Sequence, residues 1–334
     1  MIALKKGIVP YYRRSESVRG MMADTLIPLA LLLVIPVVNH GFRPLVTVGI
    51  SCLTCLFCEI LFCLFSRRDI LVSDLSFAVT GTIVAMLLPV NIPFYVAVTA
   101  CAFAVLIIKM PFGGTGRSPF NPAAAGIAFV TISFPSLVFS YRNPASDAAM
   151  PAFSTSPAVE TALSPAAMLK EGARPLLQQG EMLFGKFAGP MGATAVLVIA
   201  ACAVYLIFRR AARWETMISY LAAAALFAAL FPRLNTGRMD SLQFELLSGS
   251  LVFCAVFMIT EPATSPKTPL GRCMYGFIGG VLTMVFRYFG VHEEGVCFAL
   301  LLTNALSSVL DRLTWRWFER VDVQEKADAE EVRV

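Results

Sequence analysis

Ten apolar runs, each close to the length of a membrane-spanning helix, follow one another along this chain, and no water-soluble fold can hide so many. A hydrocarbon core of ~30 Å takes about 20 residues of helix. The runs that meet this are 21–38, 45–65, 73–90, 93–110, 119–139, 188–208, 214–231, 242–260, 273–289 and 295–313. Composition agrees: of 334 residues, 57% are hydrophobic and 15% charged, and the mean hydropathy of +0.72 is outside the range of soluble domains. The chain therefore reads as an all-α membrane protein, one polytopic domain over 1–334 with about ten transmembrane helices. Pro89 and Pro93 divide the third run from the fourth, and Pro28 and Pro36 kink the first.

With ten spans the connections alternate between the two sides of the bilayer. Of the 27 Lys and Arg residues, nineteen fall on the side that holds both termini and eight on the other. Excess basic residues mark the cytoplasmic side, which puts both termini, including the tail 314–334, in the cytoplasm. The longest connection, 140–187, is then extracytoplasmic and separates a first half, 21–139, from a second, 188–313. The net charge of +5 does not indicate nucleic acid, because the basic residues stand singly or in pairs at the ends of runs. All nine cysteines lie inside apolar runs, so buried, reduced thiols are expected rather than a disulfide framework. Residues 1–20 are polar and the first run is followed by Asn39-His40-Gly41, which is not the pattern of a cleaved leader.

Two stretches interrupt the apolar pattern with helix-ending residues: Phe112 to Gly126 (FGGTGRSPFNPAAAG) and Thr260 to Arg272 (TEPATSPKTPLGR). Irregular backbone at membrane depth is tolerated only where protein buries it or it lines a cavity. A weak internal repeat accompanies them. Thr80-Gly81-Thr82-Ile83-Val84 returns as Ser248-Gly249-Ser250-Leu251-Val252, 168 residues later. Five spans separate the copies, so the second crosses the membrane in the opposite sense, the arithmetic of an inverted five-plus-five repeat with its site between the halves. Packing of small residues explains such an echo equally well.

Ionisable residues inside spans are functional candidates by default. Glu59 lies within the second run, and its carboxylate suits passage of Na⁺ or H⁺; its structural alternative is a pair with a basic residue at the helix end. Asp24 and Asp74 stand at span entrances, where the helix dipole also accounts for them. Glu261, beside Thr264 and Ser265, offers a carboxylate and two hydroxyls in the second interruption. Gly113 and Gly114, with Gly116, permit close approach of backbone to a flat ring or a phosphate, or simply helix packing. Asn121-Pro122 reads as a helix start, and Arg117 as an orientation charge. Cys52, Cys55 and Cys58 drift around a helix face and do not make a four-thiolate cluster. His40 and His292 form no local metal motif, so no metal ligand is assigned, and no hydrolytic constellation is visible.

These motifs resemble the D subunit of the Rnf ion-translocating electron-transport complex, which is related to the B subunit of the sodium-pumping NADH:quinone reductase. The resemblance is carried by Arg13 to Asp24, Ser73 to Gly81, Phe112 to Pro135, Gly189 to Thr194, Thr260 to Thr268 and 295–312, nearly the whole chain. It implies a component, inactive alone, of a bacterial inner-membrane translocase that passes electrons between ferredoxin and NAD while moving Na⁺ or H⁺. The implied partners are the bilayer and other membrane and peripheral subunits, among them iron–sulfur proteins and a second flavin subunit.

The same resemblance implies FMN held covalently by a phosphoester in the outer loop, in a stretch of the form Asp-x-x-Ser/Thr-Gly-Ala-Thr, with room for a further non-covalent flavin such as riboflavin. Here the matching stretch is Ala158 to Pro165, which places Ser164 as acceptor with Thr161 beside it. Ala158 replaces the family's Asp, and Thr161-Ala162-Leu163 replaces Ser/Thr-Gly-Ala. Ser164 before Pro165 is also good N-cap chemistry. Gly113, Gly114, Thr264 and Ser265 join Ser164 and Thr161 as candidate cofactor contacts, and Glu59, Glu261, Asp24 and Asp74 form the candidate ion path. Two other readings use the same scaffold: a cofactor-free secondary transporter or channel, and a structural component without its flavin.

Overall fold

The computed structural model describes residues 18–67, 74–144, 146, 150–154, 160–175, 177, 179–234 and 237–331, with backbone alone at 179 and 316–331. The first part of the Arg13–Asp24 stretch, Ser73, Ala158 and Val159 lie outside the described residues. Each of the ten apolar runs falls on helix. The first half holds α1 (Val18–His40), α2 (Arg43–Ser66), α3 (Ser76–Leu87), α4 (Phe94–Phe103, extended by a wider turn over Ala104–Lys109) and α5 (Pro122–Ser133) with a short α6 (Pro135–Val138). Between the halves come β1 (Tyr141–Arg142), paired antiparallel with β2 (Thr161–Ala162), and the short helices α7 (Pro165–Lys170) and α8 (Gln179–Leu183). The second half holds α9 (Val196–Phe208), α10 (Trp214–Leu230), α11 (Arg238–Leu247), α12 (Leu251–Phe257), α13 (Pro269–Phe289) and α14 (Val296–Glu331).

The protein is a multi-pass membrane protein, but its helices are of two kinds. Among the described residues α1, α2, α13 and α14 as far as Trp315 are long and apolar enough to cross a bilayer, and α11 with α12, bent by 55°, makes a fifth crossing by composition. The other apolar helices are shorter; α3, with 12 residues, rises only about 18 Å. Short helices leave orphan carbonyls and N–H groups at membrane depth, and the fold supplies partners for them. At the end of α3, Met86 O accepts from Gly192 N (2.8 Å) and Leu88 O from Met191 N (3.1 Å). Fully buried Arg43 donates to Val90 O (2.8 Å) and Ile92 O (2.9 Å) in the break before α4.

Three predicted spans change shape for this reason. The run 188–208 is helical only from Val196, because its first residues form a turn whose Met191 and Gly192 N–H groups bond to the end of α3. The run 242–260 is two helices, and 119–139 is divided at Phe134. The repeated sequence serves different ends. Gly81 is mid-helix, and a Cβ there would come within 2.8 Å of the Cys52 backbone of α2; Gly249 (φ +65°) is the bend between α11 and α12, and a side chain there would collide with Glu294.

Packing nonetheless recurs between the halves. Helix α1 rests on α3, α2 on α3 and α4, and α4 on α5; correspondingly α9 rests on α12, α10 on α11, α12 and α13, and α13 on α14. Across the middle α1 meets α9 and α5 meets α14. Val79 and Thr80 of α3 share a crevice with Val256 and Phe257 of α12, whereas Leu87 shares a cavity with Ser250. The two short helices therefore run in opposite directions across these shared spaces.

All nine cysteines are free, as expected, but not all are buried: Cys273 is exposed and Cys52 partly so. Four basic residues counted as orientation charges are also buried, namely Arg43, Lys109, Arg142 and Arg287. Three of them came from the side with eight, so their removal leaves the excess on the other side larger.

Candidate functional site

Polar groups inside the protein gather at the two ends of the α3/α12 pair. At the first end the last turn of α4 widens so that Met110 N donates to Val105 O (2.9 Å), five residues back; such turns recur at functional sites. The turn ends in Lys109, which is 3% exposed. Its ammonium donates to Glu59 Oε1 of α2 (2.5 Å) and to Ser76 Oγ of α3 (2.6 Å). Asp74 accepts from Ser76 N (3.0 Å), Ser76 Oγ (2.8 Å) and Thr115 Oγ1 (2.6 Å). Thr115 reaches it because Gly113 (φ +110°) and Gly114 (φ +85°) turn the chain back, with Gly114 N donating to Lys109 O (3.0 Å). A Cβ on Gly114 would meet nothing within 4 Å, so this glycine is needed for its left-handed backbone.

The same end holds the second interruption. Asn121 caps α5, its Oδ1 accepting from Ala124 N (3.0 Å), while its Nδ2 donates to Glu261 Oε2 (2.7 Å). Burial raises the Glu261 carboxyl to about 7, against the opposing pull of Lys109 and Asn121. Ser265 N donates to Glu261 O (3.2 Å), and Thr264 is buried beside Tyr275. Next to Glu261 a narrow open crevice is lined by Thr25, Thr80, Asn121, Thr260 and apolar groups including Met21 and Phe257. Asp24 is not part of these clusters; it pairs with Arg209 (2.7 Å) and ties α1 to the end of α9.

At the opposite end Arg287 of α13, 1% exposed, donates to Glu245 O and Ser248 O (both 2.8 Å) and to Glu294 Oε1 (3.3 Å). Its guanidinium also lies 3.7 Å from Glu245 Oε2. Glu294 accepts from Ser250 N (2.9 Å) and from the Ser250 hydroxyl. One residue away, Glu293 Oε2 accepts from Ser164 Oγ (2.9 Å), and burial raises this carboxyl to about 7. Ser164 is the N-cap of α7, accepting from Ala167 N (3.0 Å), and is 4% exposed. Thr161, by contrast, is exposed on β2, opposite Arg142 of β1. His40 lies beside Arg142 (3.3 Å) and His292 stacks on Phe139; among the described residues no group of side chains is arranged for a metal ion.

The structure thus brings Glu59 and Asp74 together, places Glu261, Thr264 and Ser265 near them, and keeps Ser164 and Thr161 at the other end. Sequence reasoning missed Lys109, Arg287, Glu245 and Glu294. By position along the chain Lys109 and Arg117 are both orientation charges; of the two, only Arg117 is exposed. The cap made by Asn121 bears out its architectural reading, but its amide serves Glu261 as well. The one sequence signal for Lys109 is its position inside an apolar run rather than beyond it.

A chain of interrupted helices with buried cation–carboxylate clusters at both ends of its central pair is a polytopic membrane protein built around its breaks. More particularly, the chain belongs to the NQR2, RnfD, RnfE family, whose model matches residues 7–317. It is 30% identical over 308 residues to the D subunit of the Na(+)-translocating ferredoxin:NAD(+) oxidoreductase complex of Acetobacterium woodii, covering 91% of this chain and 92% of that protein. The D subunits of ion-translocating oxidoreductase complexes match similarly: 29% identity in Halorhodospira halophila, over 90% of this chain and 91% of the relative, and 28% in Tolumonas auensis, over 91% and 96%.

The flavin expected from the resemblance can be tested against the residues. A phosphoester at Ser164 would replace the proton donated to Glu293 and set an anionic phosphate against that carboxylate, in a site almost closed to solvent. In this conformation Ser164 does not fit an FMN ester.

Proposed function

We propose that this chain is the RnfD-type membrane component of a bacterial inner-membrane complex that couples electron transfer between ferredoxin and NAD to Na⁺ or H⁺ translocation, and that its own share is the cation path. The observation that carries this reading is the Glu59–Lys109–Ser76–Asp74–Thr115 cluster. Buried Glu59 and half-buried Asp74, held where α3 begins and α4 ends, supply the hard oxygens and titratable groups that cation passage requires, in a chain collinear with the Acetobacterium woodii relative. Ten crossings in two inverted halves, with both termini cytoplasmic, complete the proposal. Glu261 and its neighbours Thr264 and Ser265 extend the path, and Asp24 borders it from α1. A non-covalent flavin such as riboflavin, with Asn121 and Glu261 at its polar edge, would need the adjoining crevice to widen. Iron–sulfur and flavin subunits supply the remaining electron carriers.

Covalent FMN on Ser164 is a second reading, favoured by the position of that hydroxyl in the family's attachment stretch, and it requires the Ser164–Glu293 contact to open. Inverted vesicles from cells with and without this chain test the main reading: ferredoxin-dependent NAD reduction should drive ²²Na⁺ or proton uptake only when the chain is present. A denaturing gel under ultraviolet light tests the second. A fluorescent band that disappears in Ser164→Ala supports it, and no band in cells that flavinylate other proteins rejects it.

A further inference from the structure

A basin of ≈ 520 Å³ opens where α1 ends, far wider than the crevice beside Glu261 and within the usual size of ligand sites. Three segments remote in sequence line it: the end of α1 with Asn39 and His40, the connection between the halves with Arg142 and Lys186, and the turn before α9 with Met191. Neither Ser164 nor Glu293 lines it, and no residue of the Lys109 or Arg287 clusters does. The basin is therefore separate from the sites described above.

Its polar groups are held by the backbone around them. Arg142 of β1 donates to Ser146 O (2.7 Å) and lies 3.3 Å from His40 Nδ1. A guanidinium can only donate, so Nδ1 accepts and the imidazole carries its single proton on Nε2, a donor. Lys186 follows Gly185 (φ +82°), which closes α8 in a left-handed turn: Lys186 N donates to Glu181 O (3.0 Å) and Gly185 N to Met182 O (3.3 Å). The lining side chains thus include two cations, Arg142 and Lys186, against one carboxylate, Glu181. Such a lining favours an anion, and Arg together with Lys suits a phosphate.

The basin also meets the membrane-facing surface. Ile27, Leu31, Val34 and Val38 of α1 are exposed, and their spacing of four, three and four residues sets them in one stripe along the helix. Val38 immediately precedes Asn39 and His40, which line the basin. An anionic head joined to a long apolar tail matches both features at once. We propose that the basin binds an anionic phospholipid, Lys186 and Arg142 holding its phosphate while an acyl chain lies on the Ile27–Val38 stripe. The inference goes beyond the cation path and does not depend on it. A lipid seated there joins α1 to the connection between the halves and to the approach to α9.

The test uses the complete complex in phosphatidylcholine nanodiscs doped with phosphatidylglycerol or phosphatidylcholine that carries a diazirine on the acyl chain close to the glycerol. After illumination, the phosphatidylglycerol probe should label the segments around Asn39, Asn143 and Phe187 well above the phosphatidylcholine probe. Unlabelled phosphatidylglycerol should compete, and inorganic phosphate at matched ionic strength should not. Lys186 is exposed, so Lys186→Gln tests the contact without disturbing the core. It should raise the phosphatidylglycerol needed for half-maximal labelling about fivefold, the effect of one basic contact to an anionic lipid, and Lys186→Arg should restore it. Equal labelling by the two probes, or labelling that Lys186→Gln leaves unchanged, overturns the lipid site. Competition by inorganic phosphate makes the basin a site for a soluble anion, and flavin lost from the complex in Lys186→Gln makes it a cofactor site; either result overturns the proposal.

Discussion

The Lys109 cluster and the Arg287 cluster each hold a buried cation, with different chemistry. Lys109 bonds only to side chains, Glu59 and Ser76, and an ammonium is a compact charge on a flexible stem. Arg287 uses its planar fork to hold two backbone carbonyls at the α11–α12 bend as well as a carboxylate. One end is fastened to side chains that can let go; the other is fastened to the backbone of a helix break. The difference separates function from support: losing Lys109 frees a carboxylate, whereas losing Arg287 also takes a donor from the carbonyls that end α11.

The largest effect should follow from Arg287→Met. It leaves Glu294 without its cation, Glu245 with Arg233 alone (3.4 Å) and the Ser248 carbonyl without its Arg287 donor, a loss of about 3–5 kcal/mol. Little assembled protein should reach the membrane, as read by quantitative blotting; wild-type abundance would show that the fork is not a support. Lys109→Met should cost less, about 2 kcal/mol, because Glu59 can take up a proton, and Lys109→Met with Glu59→Gln should recover much of that loss. Thermal inactivation midpoints of the purified complex measure both, and equal damage in single and double variants would deny the pairing.

The smallest effect is a pH slope. The folded state holds the Glu293 carboxyl at about 7 against an ordinary value of 4.5, so between those values the folded chain binds more protons than the unfolded one. The stability linked to this buried carboxyl is therefore fully present below about pH 4.5 and lost as pH rises through 7. Burial is the cause, while the hydroxyl that Ser164 donates favours the ionised form and opposes the loss. Hydrogen-exchange protection at Ala167 and Met168 should fall between pH 5 and pH 8, and Glu293→Gln should flatten that fall. A slope that survives the substitution assigns it to another group.

Much of this is legible in the sequence because the bilayer enforces it. An apolar run must be largely helix, and clustered Gly, Pro and Asn mark where helices stop. Each of the ten runs therefore contains helix and both interruptions fall on breaks, while single residues such as Pro28 and Gly81 stay inside helices. Glu59 and Asp74 stand out for the same reason, since a carboxylate near the membrane interior needs an explanation. The misses share a cause as well. The start of α9 and the bend at Gly249 are set by which carbonyls need donors, and that depends on what lies next to them in space. Arg43 stands just outside an apolar run and Lys109 and Arg287 within the last residues of theirs, where one dimension separates a solvated charge from a buried one only weakly.

Hydropathy by itself determined that the chain is helical, lies in a membrane and is interrupted in two places, because desolvation of the backbone acts residue by residue. Only the tertiary structure decided that Glu59 meets Lys109 across 50 positions, that Ser164 is buried against Glu293, and that α3 and α12 run in opposite directions between two charge clusters. Those are pairings, and the energy of a buried charge is set by its partner.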